Sequence, residues 1–291
     1  DLPSHALVTR SPPPAMRHPP FTTPTTTPTP APMNPDPVFA FRSRVLANEP
    51  LAGMFLNLGS FLTAEVAAQS GLDWLLLDLE HGMGHLDSLL PRLIAVAGHP
   101  VAPIVRIPAL DPVYFKRVLD FGAAGVMIPY IETKRQAEDA VRYSRYPPHG
   151  IRGVASLNRG AQFGRTFADR LAHAHETTLI AVQIETIRSV ENAEAIAAVD
   201  GVDVLFVGPL DLSVNLGVPR RFVGRPLLEA VWREPEVVQR RPLFDLHAMY
   251  PGALEHVRTE FAPTSVVGHT HLVGDEDPVG PVDLGQGAPF Q

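Results

Sequence analysis

VLFVGPLDLS, residues 204–213, is an apolar run that stops at Gly-Pro and then delivers a carboxylate, Asp211. A short Val/Leu/Phe-rich run closed by a turn signal has the length of a strand buried on both faces. The same texture recurs in WLLLDLE (74–80), APIVRIP (102–108), GVMIPY (125–130) and LIAVQIE (179–185), and AGMFLNL (52–58) precedes them. With VDVLFVGP (202–209) these make six expected strands. Two weaker candidates follow, PLFDLHAM (242–249) and TSVVG (264–268).

Helical patterns lie between the runs: LDSLLPRLIAVAG, DPVYFKRVLDFGA, TKRQAEDAVRYSR and SVENAEAIAAVDG. Asp111-Pro112 reads as a helix start, and glycines mark several helix ends. Strand–helix alternation at this spacing predicts right-handed βαβ units and a parallel sheet. Eight such units in the available length fit a (β/α)8 TIM barrel better than an open doubly wound sheet. The chain has neither a G-x-G-x-x-G after its first strand nor a G-x-x-x-x-G-K-[ST], so dinucleotide and P-loop readings lose their main support.

Composition narrows the function. The 291 residues carry a net charge of -7, against the basic excess of a nucleic-acid-binding surface. With no cysteine, thiol nucleophiles, disulfides, Cys-based zinc sites and iron–sulfur clusters are excluded together. No apolar run reaches the roughly 18–20 residues of a membrane span. Twelve of the 31 prolines fall before Val38, so residues 1–37 read as a disordered Pro/Thr-rich extension rather than an amphipathic targeting helix. The barrel is expected over 38–273, with a Gly/Pro-rich flexible tail at 274–291. A cytoplasmic location is expected, with organellar targeting by the extension left open.

A barrel places its chemistry at the C-terminal ends of its strands. Here the strand ends carry Glu80-His81, Arg106, Gln183 with Glu185, and Asp211. Each has an ordinary explanation on its own: a helix-dipole acid for Glu185, an N-cap for Asp211, a structural ion pair for Arg106, a loop histidine for His81. Their recurrence at one end of the sheet is the signal. Two carboxylates without Cys or clustered His form a hard oxygen site for Mg²⁺, Mn²⁺ or a related ion. An arginine beside them can hold a substrate carboxylate and steady an enolate, and a histidine can move a proton near neutral pH. His81 and His85 have H-x3-H zinc spacing, but the intervening glycines argue against a helix holding both rings on one face.

These residues sit in blocks that resemble the HpcH/HpaI aldolase/citrate lyase family: GMFLNLGSFLTAEVAAQSGLDWLLLDLEHG, PIVRIPALDPVYFKRVLDFGAAGVMIPYIET, RYPPHGIRG, VQIET and VDVLFVGPLDLS, in order from about Gly53 to Gly217. The closest likeness is to its pyruvate-dependent class II aldolases. The resemblance implies a (β/α)8 barrel and a divalent metal ion (Mg²⁺, Mn²⁺ or Co²⁺) held by Glu185 and Asp211. It implies that Arg106 contacts the pyruvate moiety and that His81 is the general acid/base, supported by Asp120. Gln183 and Leu210 would line the pocket, and backbone amides from Gly208 to Asp211 would hold the substrate carboxylate. The implied reaction cleaves a 4-hydroxy-2-oxo or 2-keto-3-deoxy acid to pyruvate and an aldehyde through an enolate.

The implied partners are a small 2-keto acid and further copies of the chain, a hexamer in the family, with no nucleic acid and no membrane. The sequence departs from the family after Pro219, where the C-terminal part is abbreviated, and Phe55 and Leu210 stand where relatives often carry other residues. Two other readings stay open. An acyl-CoA lyase of the citrate-lyase-β or malyl-CoA kind would need a CoA site, for which the sequence shows no segment. A degenerate barrel would bind without catalysis.

Overall fold

The structure, a computed structural model, describes residues 37–217 and two short strands at 244–245 and 266–267. The expected extension up to residue 36 and the expected tail at 274–291 lie outside the described residues. Six strands form one sheet in sequential order: β1 (Gly53–Leu56), β2 (Trp74–Asp78), β3 (Ala102–Arg106), β4 (Gly125–Ile128), β5 (Leu179–Ile184) and β6 (Val204–Val207). All neighbours pair in parallel, as βαβ connections require.

Alternation along the strands sorts two cores. Leu75, Leu77, Val105, Val126, Ile128, Ile180, Val182 and Leu205 face outward and pack with helix residues such as Leu89, Leu93, Phe115 and Val118. The alternate residues, Trp74, Leu76, Ala102, Ile104, Met127, Leu179, Ala181 and Val204, form a separate inner cluster. Both faces of β2 to β5 are therefore buried, which is why these runs are continuously apolar rather than alternating.

One end of the inner cluster is stopped by α1 (Pro37–Leu46), whose Phe41 and Val45 pack among those strand residues. Arg42 on the same helix reaches Asp203 with two hydrogen bonds, of 2.9 and 2.7 Å. Five more helices connect the early strands: α2 (Phe61–Ala68), α3 (Leu86–Ala95), α4 (Pro112–Asp120), α5 (Lys134–Ser144) and α6 (Phe167–Thr177). Asp111 caps α4 by accepting from the Val113 amide at 2.8 Å, with Pro112 in the first turn, as its sequence predicts.

Three features differ from the sequence expectation. SVENAEAIAAVDG is not one helix but two, α7 (Ile187–Glu191) and α8 (Ala193–Ala197), interrupted where Asn192 Nδ2 bonds the carbonyls of Glu132 and Arg188. The α5–β5 connection, left without elements by the sequence reading, holds a 3-10 turn at Arg159–Gly164 and α6. The two weak strand candidates do contain strands, β7 (Phe244–Asp245) and β8 (Val266–Val267). They pair with each other as a separate two-stranded sheet and do not extend the main one. The described residues thus form an α/β half-barrel of six parallel strands, not a closed ring of eight.

Among the described residues no helix is long and apolar enough to cross a membrane.

Candidate functional site

The inner faces of the strands change character at their C-terminal ends. Above the Trp74/Leu76, Ala102/Ile104 and Leu179/Ala181 layers, the next inward positions are Asp78, Arg106 and Gln183, all buried. Asp78 and Arg106 are direct register partners of β2 and β3. The guanidinium grips the carboxylate bidentately, Nε to Oδ1 at 2.9 Å and Nη2 to Oδ2 at 2.5 Å, while Nη1 lies 3.2 Å from Glu80 Oε2. The Phe55 ring lies under Arg106, 5.5 Å from its Cζ.

Asp78 has a second task. Its Oδ1 also accepts the amides of Glu80 and His81, at 3.0 and 3.4 Å, and so fixes the loop leaving β2. Burial pushes the Asp78 carboxyl upward, but hydrogen bonds and charge from Arg106 overcome it and hold the pKa below the ordinary value. Glu80 goes the other way: burial raises it more than Arg106 and His81 lower it.

Glu185 stands just past the end of β5 and is 3% exposed. Its Oε1 accepts from Gln183 Nε2, and its Oε2 accepts from the Tyr130 amide at 3.2 Å. Burial, reinforced by the like charges of Glu80 and Asp211, raises its pKa to about 7 against the pull of the Tyr130 amide and Arg106. Gly208, at the end of β6, makes room for it. A Cβ at that position would stand 2.5 Å from Glu185 Oε1 and Cγ, so no larger residue fits without moving the acid. Asp211 follows on α9 (Pro209–Asn215), where its Oδ1 accepts from the Tyr130 hydroxyl at 3.2 Å.

The structure therefore brings together Arg106, Gln183, Glu185, Gly208 and Asp211, with Glu80 beside them. His81 sits at the rim with its side chain 59% exposed and Nε2 3.7 Å from Glu80 Oε2. Two expected details change. Asp120 does not reach His81 within the chain: it ends α4, which returns antiparallel to β3 and leaves Asp120 at the far end of the sheet. There its carboxylate pairs with Arg152 at 2.5 Å. The Gly208 amide is not free to hold a substrate carboxylate, because it donates to the Ile184 carbonyl at 3.1 Å. Leu210 places an exposed side chain on the first turn of α9, where the Leu210 and Asp211 amides are first-turn donors.

Sequence reasoning gave no role to Asp78, Glu80 or Tyr130. A signal for Asp78 was present: a charge inside a buried apolar run requires a partner, and Arg106 lies at the matching position of the next strand. Nothing in the sequence marks Tyr130, whose part depends on a left-handed backbone conformation (φ 52°).

The donor set suits a hard divalent cation. Among the described residues no three His, Asp or Glu side chains are grouped to hold a metal ion by themselves. Glu185 and Asp211, bridged by Tyr130, can supply two carboxylates and leave the other positions to water and substrate, as Mg²⁺ sites commonly do. The side-chain oxygen of Gln183, Oε1, buried without a hydrogen-bond partner, adds a further hard donor on the same strand end. The H-x3-H reading falls away: His85 caps α3, its amide donating to Ser88 Oγ at 3.0 Å, while His81 faces Glu80.

A parallel α/β sheet with its ionisable groups gathered at the C-terminal strand ends is the layout that α/β-barrel enzymes use. The chain matches the HpcH/HpaI aldolase/citrate lyase family over residues 51–243. It is 44% identical over 183 residues to a 5-keto-4-deoxy-D-glucarate aldolase of Shigella boydii, covering 62% of this chain and 71% of that one. A family protein from Burkholderia cenocepacia has a similar structure, with TM-score 0.72 and 35% identity over 80% of this chain and 92% of the other. An HpcH/HpaI aldolase from Desulfitobacterium hafniense follows at 0.66 and 27%, covering 79% and 90%. The chain belongs to the HpcH/HpaI aldolase/citrate lyase family, and it is an aldolase, a carbon–carbon lyase.

Proposed function

We propose that the chain cleaves a 4-hydroxy-2-oxo or 2-keto-3-deoxy acid to pyruvate and an aldehyde, with a divalent ion held by Glu185 and Asp211. One observation carries this reading. Buried Glu185 lies beside Glu80 and Asp211, with its pKa raised to about 7, while the Arg106 guanidinium is shared between Asp78 and Glu80. Such a set of acids is short of positive charge, and a cation completes it. Bound there, Mg²⁺, Mn²⁺ or Co²⁺ would supply Lewis-acid polarisation of the 2-keto oxygen.

The chain's own residues do the rest. Arg106, rigidly set by Asp78 and Phe55, aims its guanidinium edge at the keto-acid end of the substrate and stabilises the enolate as charge develops. His81, held at the rim by the Asp78 turn, exchanges the proton of the 4-hydroxyl group. Gln183 lines the pyruvate pocket, and Leu210 borders the mouth where the aldehyde leaves. Asp120 acts only as a structural partner of Arg152 within the chain.

The 5-keto-4-deoxy-D-glucarate aldolase named above makes a deoxy-keto sugar acid the first substrate to try. Pyruvate release, coupled to lactate dehydrogenase, should require Mg²⁺, Mn²⁺ or Co²⁺ and disappear with a chelator. Full activity after chelation would reject the metal assignment.

Self-association of the chain is supported by α2. Its alanines Ala64, Ala67 and Ala68 face inward while Phe61, Leu62 and Val66 are exposed, the reverse of a solvent-facing helix. A monomer in sedimentation equilibrium would remove that part of the proposal.

A further inference from the structure

We infer that Tyr130 is a positioning residue that clamps both metal-binding carboxylates at once, its backbone amide on Glu185 and its hydroxyl on Asp211; this rests on the metal reading above. The two contacts span two different segments. The amide donates to Glu185 Oε2 at 3.2 Å, past the end of β5, and the hydroxyl donates to Asp211 Oδ1 at 3.2 Å, on α9. No other residue is hydrogen-bonded to both acids among the described contacts.

The backbone supports the assignment. Tyr130 follows Pro129 just past the end of β4 and adopts φ 52°, a left-handed conformation that a bulky L-residue adopts only under strain. Its neighbour Ile131 leaves again at once, donating its amide to the Gln183 carbonyl at 3.3 Å. The turn thus presents the Tyr130 amide to Glu185 between two strand ends that are already hydrogen-bonded to each other.

The clamp orients the carboxylates and still leaves each of them acceptor capacity for an ion. Glu185 has one oxygen taken by Tyr130 and the other by Gln183, so its plane is fixed from both sides. Asp211 has Oδ1 engaged by the Tyr130 hydroxyl, which restrains the rotation of its carboxylate. A carboxylate fixed by an outer hydrogen bond binds its ion with less loss of side-chain freedom, and such outer partners typically contribute 10–100-fold to metal affinity.

Mn²⁺ binding, followed by electron paramagnetic resonance of the free ion, tests the clamp without any turnover. Tyr130→Phe keeps the ring, the amide and the backbone turn and removes only the hydroxyl. The Mn²⁺ Kd should rise about tenfold, while the melting temperature of the metal-free protein stays that of the wild type. Combined with Asp211→Asn, the Phe substitution should add nothing further. An unchanged Kd for Tyr130→Phe, including one accompanied by a lowered melting temperature, overturns the clamp and leaves the metal reading standing. Failure of the wild type to bind Mn²⁺ overturns both.

Discussion

The two ends of the sheet each bury an aspartate gripped by an arginine, and they are built for different ends. At the α1 end, Asp203 takes both bonds from Arg42 and a third from the Ile180 amide at 2.9 Å. Its charge is matched and its surroundings are the Phe41/Val45 plug of the inner core. At the other end, Arg106 grips Asp78 with the same geometry but also faces Glu80, with Glu185 and Asp211 close by. One closed pair holds the fold. The other is an open cluster with more acid than base, and that surplus separates a site from a structural ion pair.

Arg106→Ala should have the largest effect, because it breaks both functions of its pair. Orphaning buried Asp78 should cost about 3–5 kcal/mol of stability. Loss of the enolate contact should lower kcat by roughly 10²–10³-fold. Chemical denaturation and steady-state rates separate the two; a wild-type rate would reject the catalytic part.

Asp203→Ala removes only the structural half of the comparison. A stability loss of the same size, about 3–5 kcal/mol, is expected with kcat unchanged per folded molecule. A matching loss of kcat would show that the two ends are not independent.

The smallest effect concerns pH. Glu185, raised to about 7 mainly by burial, binds its proton more tightly folded than unfolded. The metal-free protein should therefore lose stability as pH rises from about 5 to 8, on the order of 3 kcal/mol, and saturating Mn²⁺ should flatten the slope. Asp78 has the opposite sign. Its lowered pKa contributes stability at neutral pH that is lost only as acid titrates it below the ordinary carboxylate range. Denaturation midpoints at pH 5, 6, 7 and 8, with and without the ion, check the sign for Glu185, and midpoints taken on into acid below the ordinary carboxylate range check the sign for Asp78.

How much of this was legible differs by layer. The six strands could be read because burial on both faces leaves continuous Val, Ile and Leu runs. The acids at their ends stood out because ionisable groups are costly next to such runs. Helix α6 was invisible: FADRLAHAHET buries only Ala174, so it has little apolar period to detect. Asp120 was placed by likeness alone, and the antiparallel return of α4 delivers it to Arg152. Tyr130 could not be found, because its contact depends on a backbone angle and on two segments 55 and 81 residues away. The closed eight-strand ring needs strands beyond the six of the main sheet, and among the described residues β7 and β8 are hydrogen-bonded as a separate pair.

Asp78 fastens two parts of the candidate site with one carboxylate: the Arg106 guanidinium and the amides of the loop that carries His81. Substitutions at Arg106 and His81 will therefore not behave as separate defects. Displacing the arginine releases the aspartate, and the released aspartate lets the histidine's loop drift. A double-mutant cycle across the two should show a coupling well above the few tenths of a kcal/mol expected for independent positions. The buried aspartate is thus a shared fastening: the backbone that carries His81 is held by the same carboxylate that holds Arg106.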